Sequence, residues 1–197
     1  MLALTLAAAL LVEAPEQPSL PLVPESKIEL VVSSPVSTDF KPGDREIELA
    51  TKDFDSFWNL QQTGDFAAAY AMMSAQNRAK MTEADWTADQ IQRLKDGGGD
   101  LARKLLRITW YPNPPSVDTP GIYSAIDYIA YTQNGGLRCG YVILVNAGTN
   151  PVQVMRVDMT ILPAALVGGT LPRTDILPQL PCYLGPDVVT AFGKVKQ

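Results

Sequence analysis

The spacing of apolar positions changes character twice along the chain. From Asp44 the apolar residues fall at helical intervals: Ile47, Ala50, Phe54, Phe57 and Trp58 make one stripe, which predicts an amphipathic helix. Gly64 supplies a C-terminal stop and Asp65 a cap for the next helix, whose Phe66, Ala69, Tyr70 and Met73 share a face. Thr82 opens a third helix, with Asp85 standing where a capping box has Glu. That helix is expected to run to about Lys95 and to end at Gly97-Gly98-Gly99. Beyond the glycines the pattern turns to branched and aromatic runs. Leu105–Tyr111, Ile122–Thr132, Arg138–Asn146 and Val152–Leu162 predict strands. Hairpin-like connections at Gln133–Gly136 and Ala147–Pro151 separate the last three, and Pro112–Pro120 is a turn-forming link. Lys27–Val32 alternates weakly and predicts a short edge strand, and Val188–Val195 one short final element. Helices followed by a meander predict an α+β fold, with helices on one face of a curved antiparallel sheet of about four strands.

Proline sharpens these boundaries, because it breaks helix interiors and removes a backbone donor. Of the 16 prolines, none lies between Gly43 and Tyr111, so the helices belong there. Met1–Val12 is an apolar run with Thr5 its only polar member. It is too short to cross a ~30 Å hydrocarbon core and has the length of a secretory h-region, with Val12 and Ala14 in the −3 and −1 positions. The predicted layout is a signal peptide over residues 1–14, a proline-rich tether over 15–43, the folded domain over 44–162 and an extended proline-rich tail over 163–197. Periplasmic or secreted location follows, with an uncleaved terminus serving as a weak anchor as the variant.

Charge and composition remove whole classes of function. With 21 acidic and 16 basic residues the net charge is −5, which argues against nucleic acid as a partner. No residue is histidine, which excludes Ser–His and Cys–His nucleophile pairs and His-ligated zinc. No cofactor motif is present: the three glycines lack the Gly-Lys-Ser/Thr of a phosphate loop. Arg103, Lys104 and Arg107 read as a small solvated basic face, and Met72-Met73 as gap-filling core. The aromatic set Trp58, Tyr70, Trp86, Trp110, Tyr111, Tyr123, Tyr128 and Tyr141 reads as core.

Two constellations carry chemistry. Cys139, in a predicted strand, and Cys182, in the tail, are too far apart for a CxxC motif. In an exported chain they predict a disulfide. Closing a loop of about 44 residues stabilises a fold by roughly 4 kcal/mol on the chain-entropy estimate. Strand alternation puts Tyr123 and Asp127 on one face of the second long strand, and Arg156, Asp158 and Thr160 on one face of the last. If Asp127 and Asp158 faced a pocket between sheet and helices, Tyr123 beside them would allow an isomerase or hydratase scheme, an Asp base opposite a Tyr and a protonated Asp. The simpler expectation is that these faces meet solvent and that the chain is a non-catalytic binding or structural protein, its partner an envelope protein or a small apolar ligand.

Several short runs resemble an uncharacterised bacterial envelope family, domain of unknown function number four thousand and nineteen. Asp65-Phe66-Ala67-Ala68-Ala69-Tyr70, Met81-Thr82 with Trp86, Gly99-Asp100-Leu101-Ala102-Arg103-Lys104-Leu105 and Gly121-Ile122-Tyr123 are similar in order and spacing to that family's motifs. The resemblance covers about Ile47 to Leu162. It implies a small cone-shaped domain of the nuclear-transport-factor-two or cystatin-like kind and an envelope address, and it transfers no catalytic residue. The chain departs from the pattern where the family has an acidic residue leading its third strand and Arg138-Cys139-Gly140 stands instead.

Overall fold

The computed structural model describes residues 28–34, 39–115, 117–146, 151–167 and 180. The helical block opens with α1, Asp44–Thr63, entered from Gly43, whose N–H donates to Glu46 Oε2 at 2.9 Å. It buries Ala50, Phe54, Phe57, Trp58 and Gln61, the predicted stripe carried one turn further. Gly64, at φ 81°, ends it in the left-handed conformation that glycine takes without strain. Asp65 then caps α2, Phe66–Ala71, accepting the Ala68 N–H at 3.2 Å. A helix of four residues, α3 at Ala75–Arg78, follows under a Ser74 cap. It is too short to leave a periodic signal in the sequence. Thr82 caps α4, Glu83–Gly97, accepting from the Asp85 N–H at 3.2 Å and donating its hydroxyl to Asp85 Oδ2 at 2.7 Å. The expected N-cap is therefore formed, but the capping box is not: Asp85 accepts from the Thr82 hydroxyl in place of the Thr82 N–H.

The sheet holds β1 (Glu29–Val32), β2 (Asp100–Pro112), β3 (Ile122–Thr132), β4 (Leu137–Asn146) and β5 (Gln153–Leu162), in that spatial order. It is an open mixed sheet of five strands, where the sequence pattern predicts about four antiparallel ones. The weakly alternating segment before the helices supplies the fifth, pairing parallel to β2 at the edge. A last short helix, α5, covers Ala164–Val167.

Register sorts the strands into two faces. On the first, Ile126 lies between Ile108 and Val142, Ser124 between Trp110 and Leu144, and Tyr128 between Leu105 and Gly140. This face meets α1, α2 and α4 in one core with Phe54, Phe57, Trp58, Ala69, Trp86 and Val154. Phe54, Trp58 and Tyr128 pack ring against ring, with centroids 4.6 to 5.8 Å apart. The second face carries Tyr123, Ile129, Leu137, Cys139 and Val145, all buried but outside that cluster.

Gly140 is required by close approach, since a Cβ there would lie 1.9 Å from the Asp158 carbonyl oxygen. Gly140→Ala is expected to force β4 and β5 apart and to destabilise the fold by about 3 kcal/mol or more, read by urea unfolding. A loss of under about 1 kcal/mol would show that the two strands yield easily.

Candidate functional site

The first candidate is a groove of about 440 Å³ beside β5. One wall is a stripe of α4, Trp86, Asp89, Gln90 and Arg93, spaced so that all four project from one side of the helix. The opposite wall is the unbroken run Arg156, Val157, Asp158 and Met159. Side chains of a strand alternate between faces, so four consecutive lining residues mean that the groove runs along the edge of β5. Phe57 and Gln61, both buried, lie behind the groove with Tyr70, and Met73, Asn77, Lys80 and Met81 complete the lining, Met73 and Asn77 by the start of β5. Tyr70 is held by donating its hydroxyl to the Met81 carbonyl at 2.7 Å, and its ring lies 5.8 Å from that of Trp86. The rim is charged. Arg93 pairs with Asp89 at 2.7 Å and Arg156 with Asp158 at 3.0 Å, whereas Lys80 makes no ion pair among the described residues. The lining mixes seven apolar or aromatic side chains (Phe57, Tyr70, Met73, Met81, Trp86, Val157 and Met159) with eight polar or charged ones, and its volume is that of a ligand site. A second cavity of about 530 Å³ lies by the start of α1 and Trp110. On it, burial pushes the Asp53 carboxyl above the usual carboxylate range against the pull of Lys52.

The sequence-predicted acid–base residues do share a face, but it is the second face, away from the helices. Asp127 stands opposite Tyr141, and Tyr141 opposite Asp158. The pocket between helices and sheet that the catalytic scheme requires is therefore not where Asp127 points. The expectation that its face simply meets solvent also needs correction, because Asp127 is buried. Its carboxylate accepts from Arg107 Nε at 3.2 Å, while Asp158 accepts from Arg156 and, at 3.4 Å, from the Tyr141 hydroxyl. Tyr123 donates its hydroxyl to the Thr119 carbonyl at 2.8 Å. Each group is thus engaged by a neighbour, and only Asp158 also reaches the groove.

Burial raises the Asp127 carboxyl above its ordinary value, opposed by the hydrogen bond and charge of Arg107 and reinforced by Glu29. A carboxyl raised in the folded state binds its proton more tightly there. Its stabilising contribution is complete below the unfolded-state value of about 3.9 and is lost as pH rises through the higher folded value. Asp127→Asn is expected to flatten the fall in melting temperature as pH rises from that value toward neutrality. An unchanged pH profile would show that Arg107 fully offsets the desolvation.

Arg103, Lys104 and Arg107 do not form the single solvated face expected of them. Strand alternation sends Arg103 to the first face, where it pairs with Asp55 and its guanidinium lies 5.1 Å from the Phe54 ring centroid. A register shift between Leu105 and Arg107 then leaves Lys104 and Arg107 together on the second face.

Sequence reasoning missed the most deeply buried charges. Arg138 is 2% exposed and pairs with Asp100, which also accepts the indole N–H of Trp58. A second Arg138 nitrogen donates to the Gly98 carbonyl at 2.9 Å, and the guanidinium lies 5.8 Å from the Trp58 ring. Burial pushes Asp100 up, with Arg138 and Trp58 the main opposing influences. Beside this pair the Tyr128 hydroxyl is buried without a hydrogen-bond partner among the described residues. A stranded hydroxyl gains nothing from its burial, so Tyr128→Phe is expected to be neutral or to stabilise by up to about 1 kcal/mol, measured by denaturant unfolding. A loss above about 1 kcal/mol would reveal a hidden partner.

Cys139 is completely buried on the second face, opposite Ile129 on one side and Thr160 on the other, and no described residue is a free cysteine. Cys182 lies outside the described residues, as do the expected signal peptide and the final element at Val188–Val195. Among the described residues no helix is long and apolar enough to cross a membrane, and no group of three or more Asp, Glu or Cys could hold a metal ion. No family model, curated protein or solved structure matches the chain.

Proposed function

We propose that this chain is a non-catalytic, exported domain of the bacterial envelope that binds its partner in the groove between α4 and the edge of β5. The observation that carries the reading is the groove itself, with Tyr70, Trp86 and Met159 among its lining and with Lys80, which has no ion pair among the described residues. The engagement of Asp127, Asp158 and Tyr123 by neighbouring groups favours binding over acid–base chemistry. A cone-shaped, cystatin-like arrangement is compatible with helices gathered on one face of the sheet, and membership of the envelope family rests on the motifs from Asp65 to Tyr123. Export would allow Cys139 to pair with Cys182 and hold the tail over the second face. The buried positions there and the burial of Leu180, two residues before Cys182, support that placement.

The test of the binding reading is a fluorescence titration with 1-anilinonaphthalene-8-sulfonate, an apolar anionic probe. Saturable binding that quenches tryptophan emission is expected, with the response much reduced in Trp86→Phe. No saturable binding, or binding indifferent to Trp86, would overturn the groove as the site.

A further inference from the structure

β5 ends the sheet, and its two halves are treated differently. At the start of the strand, outward groups are taken up from within the chain. Val154 N–H donates to the Met72 carbonyl at 2.8 Å, and the Val154 carbonyl accepts from Ser74 N–H at 2.9 Å. The Asn77 amide adds bonds to the carbonyls of Val154 and Met155. Met73 thereby forms a one-residue parallel bridge to Val154, the beginning of a sixth strand. The chain then turns away into α3. From Arg156 onward no described backbone group outside β4 bonds to β5, and it is here that the groove begins.

We propose that the groove takes an extended peptide, which continues the line begun by Met73 and adds a strand to β5 from Arg156 to Met159. An exposed edge is a ready template for such pairing, and a helix packed alongside supplies pockets for alternate side chains. Here those pockets would be filled by apolar residues at every second position, set against Tyr70, Trp86 and Met159. The methionines in the lining, Met73, Met81 and Met159, can repack around side chains of different shape. Two of the three rim cations are neutralised by Asp89 and Asp158, so the surplus charge is that of Lys80. The peptide class that fits has alternating apolar residues and an acidic group at the end lying by Lys80. A small apolar ligand would use the apolar lining and leave the strand edge unpaired. A second copy of this chain would pair β5 with β5.

This inference rests on the groove being the binding site, and its test separates the two. The probe is a fluorescein-labelled hexapeptide of alternating valine and threonine ending in glutamate. Its control carries N-methyl groups on alternate amides, in the two possible phases. Saturable binding is expected, with one phase of methylation weakening it by about tenfold or more as backbone hydrogen bonds are lost. Lys80→Glu, a change at an exposed position, is expected to weaken binding several-fold. Binding should also slow hydrogen exchange at the outward amides of Arg156–Met159. If the hexapeptide fails to bind while the anilinonaphthalene probe still saturates through Trp86, the peptide proposal falls and the groove stands. If methylation in neither phase matters, strand addition falls. Dimerisation through β5 in sedimentation, unaffected by the hexapeptide, would assign the edge to a second copy and overturn the proposal. If neither probe binds, both readings fall.

Discussion

Arg138→Ala is expected to cost about 3–5 kcal/mol of folding stability, a large part of the 5–15 kcal/mol of an ordinary domain. The magnitude follows from what is left behind. The Arg138 side chain is 2% exposed and that of Asp100 8%, so removing the guanidinium strands a carboxylate in the core with the Trp58 indole and Arg103 as its remaining favourable neighbours among the described residues. The Gly98 carbonyl loses its donor at the same time, loosening the turn that joins α4 to β2. Asp100→Asn should cost less than Arg138→Ala, because the neutral amide still accepts from Trp58. Arg138→Met with Asp100→Leu should recover much of the loss, since a buried ion pair replaced as a whole by apolar groups is often tolerated. Urea unfolding of these variants beside the unaltered chain tests this. A double variant no more stable than Arg138→Ala would contradict the account of the pair as one unit.

The second large effect concerns the tail. If Cys139 pairs with Cys182, Cys182→Ser is expected to lower stability by roughly 4 kcal/mol under oxidising conditions and to change nothing under reducing ones. The magnitude is that of a loop of about 44 residues closed in the unfolded chain. Losing the bridge should also open the second face, where Ile129 is buried opposite Cys139 and Tyr123 and Val145 are buried further along the same strands, and so raise hydrogen exchange along β3 and β4. Two free thiols titrated in unreduced protein from its native compartment would contradict the pairing outright.

The elements that were readable in the sequence are those whose signal is local. The stripe from Ile47 to Trp58, the Asp65 and Thr82 caps and the alternation from Ile122 to Leu162 each depend on near neighbours, and each lies where its pattern points. The parallel placement of β1 was not readable, because Glu29–Val32 finds its partner nearly eighty residues away at Arg107–Trp110. Alternation correctly grouped Tyr123 with Asp127 and Arg156 with Asp158, yet it could not say which face the helices cover. That choice put Asp127 away from them. The Arg138–Asp100 pair was hidden for a related reason. A charged residue at a strand start reads as solvent-facing until the fold brings Gly98 and Trp58 around it. The groove was hidden too, since it joins an α4 stripe to a strand edge some seventy residues later. Its one local trace was the spacing of Trp86, Asp89, Gln90 and Arg93.

The central claim, that this groove is where the protein binds, is tested most directly by mapping backbone amide shifts during titration with the anilinonaphthalene probe. Perturbations confined to Trp86–Arg93, Met73, Met81 and Arg156–Met159 are predicted. Shifts centred instead on Tyr123, Asp127 and Tyr141 of the second face would contradict it.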